Sequence, residues 1–302
     1  MFNREIIHNI LIFGVFIMVE NTVFSIRTDM ADEAHKLWSG TCKDNTDLKG
    51  VKSKEIKIHG LDINQIDILD ATGEQALGKA RGKYFSLTLP ELFDRGSEIF
   101  SPAVLAISQL LKECGVQNKD NVLVAALGNP DITPDALGNL SASNILVTAH
   151  LNKTSFPQFS SLSLCRPGVL GTSGIESAVQ VRALKDIVHP DLIIAVDALA
   201  GSDAGRLCRC IQISNAGISP GSGVANNRAE LSEASLGVSV ISIGMPTVMD
   251  AACFGAENCR GMFVTPRSID SKVRHAARLI AYGINLAVHN SLSIDDIDAL
   301  VG

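Results

Sequence analysis

The chain has 302 residues, 46% of them hydrophobic and 19% charged, and a net charge of −6. This is an ordinary globular composition, able to bury a large core in one or two domains. With two Tyr and one Trp on an acidic chain, it lacks the basic surface and the aromatic platforms that nucleic-acid binding needs. Seven cysteines in no regular framework fit free thiols in a reducing, cytoplasmic compartment. Cys208-Arg209-Cys210 is too closely spaced for a Cys-x-x-Cys metal or redox motif.

The N-terminus is the compositional anomaly. Ile6 to Val19 is an apolar run of about 14 residues, short of the roughly 20 that cross a membrane. It has the size of a signal-peptide core, but no small-x-small cleavage site follows. Residues 1–26 therefore read as a leader or pro-segment, with Met18 a possible alternative start, and stable membrane association is not expected. The remainder, 27–302, reads as one domain without internal repeats.

Val23 onward is first extended and then helical from about Asp29, a candidate N-cap. Gly40 to Ser53 is a polar loop. Glu55–His59 and Gln65–Leu69 alternate with period two and predict strands. Ser101-Pro102 opens a helix that runs to Glu113 and stops at Gly115. Residues 122–127 form an apolar strand, Gly174 to Val188 a helix with Ile175, Ala178, Val179, Val181, Leu184 and Ile187 on its apolar face. A strand at 192–196 ends at Asp197. Further strands fall at 238–243 and 261–264, a long helix at 268–289, and a short one from Ile294. Strands alternating with helices predict an α/β fold, a mostly parallel sheet with helices on both faces and an N-terminal elaboration.

Two acidic segments stand out, Thr133-Pro134-Asp135-Ala136-Leu137-Gly138 and Ala195-Val196-Asp197-Ala198-Leu199-Ala200. Each follows or closes an apolar strand and so delivers an aspartate to a strand's carboxyl end, where open α/β sheets usually hold ligands and chemistry. A carboxylate in such apolar company is costly unless paired, protonated or metal-bound. Plainer roles compete: a helix-dipole partner for Asp135 and an N-cap for Asp197. Other signatures are missing. There is no His-Glu-x-x-His, no Gly-x-Ser-x-Gly, no Walker loop and no Gly-x-Gly-x-x-Gly. Glycines at 168–174 and 219–223 read as tight turns able to bring backbone amides near a ligand. Ser173, Ser222 and the cysteines have no base at nucleophile spacing.

The chain resembles the germination proteases of endospore-forming bacteria. The resemblance rests on Phe24-Ser-Ile-Arg-Thr-Asp-Met-Ala31, the two aspartate motifs, Gly168-Val-Leu-Gly-Thr-Ser-Gly-Ile-Glu176, Ile211-Gln-Ile-Ser214, Gly217-Ile-Ser-Pro-Gly-Ser-Gly-Val224, Gly244-Met-Pro-Thr-Val-Met-Asp-Ala251 and Val264-Thr-Pro266. It implies a fold similar to hydrogenase-maturation peptidases. It also implies an atypical aspartic endopeptidase, self-processed from a zymogen and homotetrameric, that degrades small acid-soluble spore proteins in the spore core. Asp135 and Asp197 occupy the motifs of the family's proposed catalytic pair, and neither cofactor nor metal is expected. Two nearby carboxylates can share one proton and between them activate a water and protonate a leaving nitrogen. Asp131, Asn139, Gly201 and Asp203 depart from the family pattern; the two extra acids bear on the pair's protonation or on substrate docking. The alternatives are a metal-dependent processing peptidase with Asp135, Asp197 and a histidine such as His150 as ligands, and a degenerate relative that only binds spore proteins.

Overall fold

The computed structural model describes residues 15–19, 22–26, 28–41, 48–91, 93–117, 119–222 and 229–301. Most of the proposed leader, Arg27, part of the 40–53 loop and Gly223 lie outside the described residues.

In chain order the strands are β1 (Val15–Val19), β2 (Thr22–Ile26), β3 (Val51–Ile58), β4 (Leu61–Ile68), β5 (Gly82–Thr88), β6 (Asn121–Ala126), β7 (Ser161–Cys165), β8 (Leu192–Gly201), β9 (Cys210–Ser214), β10 (Ser239–Asp250) and β11 (Phe263–Val264). The helices are α1 (Ala31–Thr41), α2 (Ala71–Leu77), α3 (Phe100–Leu111), α4 (Leu137–Ala142), α5 (Leu170–Ser173), α6 (Ser177–Val188), α7 (Glu233–Leu236), α8 (Ile269–Val288) and α9 (Ile294–Val301). β1 and β2 pair as an antiparallel hairpin. The main sheet has the order β3-β4-β5-β9-β10-β8-β6-β7, with β11 on β10.

The α/β class stands, and the sheet is mixed. β10, β8, β6 and β7 run parallel, while β3, β4, β5 and β9 form an antiparallel wing. Residue parity explains how helices cover both faces. Val122, Val124, Ile194, Val196, Ile241 and Ile243 point to the side filled by α3, α4 and α8. Their neighbours Leu123, Ala125, Ile193 and Ala195 meet Ala178 and Val181 of α6 and Leu236 of α7. Apolar residues at every position are what a strand buried on both faces requires. On the wing, Ile66, Ile68 and Tyr84 pack against Ala31 and Ala34 of α1 and Leu77 of α2.

Three sequence expectations change. β8 does not end at Asp197 but continues to Gly201, because β10 keeps pairing with it past that point. Asp29 does not cap α1; its carboxylate is engaged by Ala200 and Ser222 instead. In α6 only one narrow flank meets the sheet, so Ile175, Val179 and Ile187 of the expected apolar face stay exposed.

Candidate functional site

The parallel β6–β8 pairing stops at Ala126 and Val196. Leu127 N–H then donates to the Val196 carbonyl (2.9 Å), fixing the exit of β6 against β8 one residue before Asp197. The chain turns at Gly128, whose φ of +95° lies in the region that only glycine adopts freely. A β-carbon there would stand 1.9 Å from the Asp135 carbonyl oxygen. The loop closes on itself. Asn129 N–H donates to Asp135 Oδ2 (2.8 Å), and Asp135 N–H donates to the Ile132 carbonyl (2.8 Å). Asn139, a departure from the family pattern, has a structural role here: its amide nitrogen donates to the Gly128 carbonyl (2.9 Å). Thr133–Asp135 forms a 3₁₀ turn that touches β8, β10 and α8.

Asp197 is reached differently. It lies within β8, buried, beside β10 and one residue past the end of the β6 pairing, with Oδ1 accepting the N–H of Ala198 (2.9 Å). Its backbone is opposite Gly244 of β10, and a β-carbon on Gly244 would stand 2.4 Å from the Asp197 carbonyl oxygen. Both aspartates thus sit where β6 leaves the sheet, Asp197 on the strand and Asp135 on the loop folded over its end. α4 begins without a side-chain cap from Asp135, and Asp197 bonds within its own strand. The two additional acids, Asp131 and Asp203, are exposed.

The remaining candidates separate from this edge. His150 is exposed in the turn after Thr148, whose N–H donates to the Leu162 carbonyl at the amino ends of β6 and β7. It is thus at the opposite sheet edge from Asp135 and Asp197, which does not fit a shared ligand set. Ser173 donates to the carbonyls of Val169 and Ile175, Ser222 to the Asp29 carboxylate. Burial pushes the thiols of Cys114, Cys165, Cys208 and Cys210 up to about 12, far from a reactive thiolate.

Sequence reasoning missed the polar knot beneath this edge. Asp32 and Glu33 look like acids favouring a helix N-terminus, yet both are buried, Asp32 in an ion pair with buried Arg206. Burial alone lowers the pKa of Arg206, but Cys210 and Asp32 reverse this and hold it above its ordinary range. Burial lowers that of Lys79, against the pull of Asp29 and Glu33. Among the described residues no helix is long and apolar enough to cross a membrane.

The sequence profile of germination proteases matches residues 27–260. That match sets the class as a peptidase. The chain belongs to the germination protease family. A germination protease of Caldanaerobacter subterraneus subsp. tengcongensis is 36% identical, over 92% of this chain and 99% of the relative. One from Clostridium perfringens is 32% identical over 91% and 99%, and one from Bacillus cytotoxicus 36% over 86% and 70%. Among solved structures, a nickel–iron hydrogenase maturation protease from Thermococcus kodakarensis aligns with 58% of this chain and 98% of its own, at 21% identity and a TM-score of 0.34.

Proposed function

We propose that this chain is an aspartic-type endopeptidase that starts the breakdown of small acid-soluble spore proteins at germination. In this reading Asp135 and Asp197 share one proton. The ionised carboxylate draws a proton from water as it attacks the scissile carbonyl, and the protonated one supports the developing oxyanion and then protonates the leaving nitrogen. The protein acts in the spore core as a homotetramer and is made as a zymogen that removes its own N-terminal segment. The observation that carries the reading is the Leu127–Val196 hydrogen bond together with the glycine-tight loop, which fold the Asp135 turn over the point where Asp197 emerges from beside β6.

The test is digestion of a purified small acid-soluble spore protein by the wild type, Asp135→Asn and Asp197→Asn, each with and without a chelator. Exchanging carboxyl for amide keeps the shape and removes the titrating group. Each variant is expected to lose about 10²–10⁴-fold in rate, with chelator making no difference. Near-normal turnover by either variant removes that residue from the mechanism, and a strict need for added metal turns the assignment to a metallopeptidase.

A further inference from the structure

β8 outlasts its neighbour. β6 stops opposite Val196, whereas β8 runs on to Gly201 with β10 on its other side. Val196 offers its carbonyl to the β6 side, through Leu127, so the alternation of a strand aims the backbone groups of Ala198 and Ala200 the same way. Those groups need partners that β6 no longer supplies.

The chain's own N-terminal segment supplies them at Ala200. Asp29 N–H donates to the Ala200 carbonyl (2.8 Å), and Ala200 N–H donates to Asp29 Oδ2 (2.8 Å). Two residues on, Glu33 Oε2 accepts the N–H (2.7 Å) and hydroxyl (2.8 Å) of Ser202, and also the Thr28 hydroxyl (2.6 Å). The segment itself is held from below. The Gln212 side chain donates to the Asp29 carbonyl (3.0 Å) and accepts from Ala31 N–H (2.7 Å), while Lys79 donates to the Thr28 carbonyl (2.7 Å). Ser222 donates to the second Asp29 oxygen (2.7 Å). Glu33 Oε1 stands 3.9 Å from Arg206 Nε, and neither of these buried atoms has a hydrogen-bond partner. Two buried charges, each with one unmatched atom, are an expensive way to fasten a helix start.

We propose that Asp29 and Glu33 are positioning residues for Asp197. Leu127 fixes β8 one residue before Asp197, and the Asp29–Glu33 clamp fixes it three to five residues after, so the aspartate sits on a strand tied at both ends. The inference rests on the reading of Asp197 as a reacting group. It also bounds the self-processing: a cut anywhere between Met18 and Arg27 leaves Thr28–Glu33 in the mature chain, so precursor and product share the clamp.

The test compares Asp29→Ala, Asp29→Asn and Asp197→Asn with the wild type on a small acid-soluble spore protein. Readouts are kcat, KM, the pH profile of kcat, and amide exchange across β8. Asp29→Ala is expected to lower kcat about 10- to 100-fold with KM little changed. It should also shift the acid limb of the profile and speed exchange at residues 198–202 but not at 192–196. Asp29→Asn, whose amide oxygen still accepts from Ala200, should restore most of the rate. Wild-type kcat and profile in Asp29→Ala overturn the proposal, as does a rise in KM alone. Should Asp29→Ala not fold, Ser222→Ala loosens one Asp29 oxygen and is expected to change the same readouts less; unchanged kcat and exchange there overturn it too. If processed wild type cleaves no spore protein, the reading of Asp135 and Asp197 as its aspartic pair falls by itself, and unchanged exchange at 198–202 in Asp29→Ala would separately remove the clamp.

Discussion

Asp135 owes its place to a residue without a side chain. Gly128 combines a positive φ with a carbonyl oxygen 1.9 Å from where its β-carbon would be. Gly128→Ala is therefore expected to cost more than about 1 kcal/mol, and to move the Asp135 turn off the sheet. Thermal unfolding and cleavage rate measured together check this; a variant with both at wild-type values would show that the loop has room to spare. His289 offers a second single-residue test. Its Nε2 faces the Leu146 carbonyl at 3.4 Å, its ring meets Phe159 edge-on at 5.5 Å, and its buried Nδ1 has no hydrogen-bond partner. Burial lowers its pKa from the ordinary 6.5. The unfolded chain therefore takes up a proton near pH 6.5 that the folded chain resists, so the contribution to stability is complete above that pH and declines as the pH falls below it. Denaturant midpoints measured from pH 7 down to about 5 should fall, and His289→Gln should flatten that slope. An equal slope in the variant would assign the acid sensitivity to other groups.

Among the elements, α8 does more than fill the core. Its buried Asn285 accepts the Leu146 N–H (3.0 Å) and donates to the Asn144 carbonyl (2.9 Å), holding the chain that leaves α4. Asn285→Leu conserves volume but strands two part-buried backbone groups, at up to about 1–3 kcal/mol each. A loss of that order in denaturant unfolding is expected, and a neutral result would mean water reaches the pair. The run of buried residues that makes α8 a core helix was plain in the sequence, as were β6 and the two aspartate motifs, because burial writes itself as period or as continuous apolar character. Of β3 and β4 only the second halves were legible: Val51–Ser53 reads as loop, and Leu61–Asn64 was missed. β5, β7 and β9 were not legible. Gly82–Thr88 and Ser161–Cys165 mix serines with apolar residues, and five-residue strands carry too little pattern to separate from loops. The continuation of β8 beyond Asp197 was hidden for a different reason: what extends it is pairing with a distant strand, carried through a Pro246 that sequence alone reads as a stop. Asp29 misled, and Asp32 and Glu33 drew no notice, because acids at a helix start have an ordinary local explanation, and their partners Ala200, Ser202, Arg206 and Ser222 lie some 170 residues or more away.

For the whole molecule, the proposed zymogen step has a structural condition attached. The window from Met18 to Arg27 takes in the end of β1 and all of β2, where Met18 pairs with Val23 and Val19 with Thr22. A peptidase cleft takes a single extended strand, so the hairpin must open before its own chain can be cut. A two-stranded hairpin is at best marginally stable alone, and β1 and β2 form a sheet separate from the main one, with β1 against α1, so opening it breaks no main-sheet pairing. Below it, Thr28–Glu33 stays fastened to β8, which confines the cut to the residues before the clamp. If the aspartates work with one shared proton, mildly acidic pH raises the singly protonated fraction and should speed processing. Intact-mass spectrometry of wild-type protein held at mildly acidic and at neutral pH should show a new N-terminus between Met18 and Arg27, appearing faster in acid and not at all in Asp197→Asn. A cut beyond Thr28 would contradict the clamp. An intact N-terminus alongside full activity on spore protein would mean that this chain works without processing.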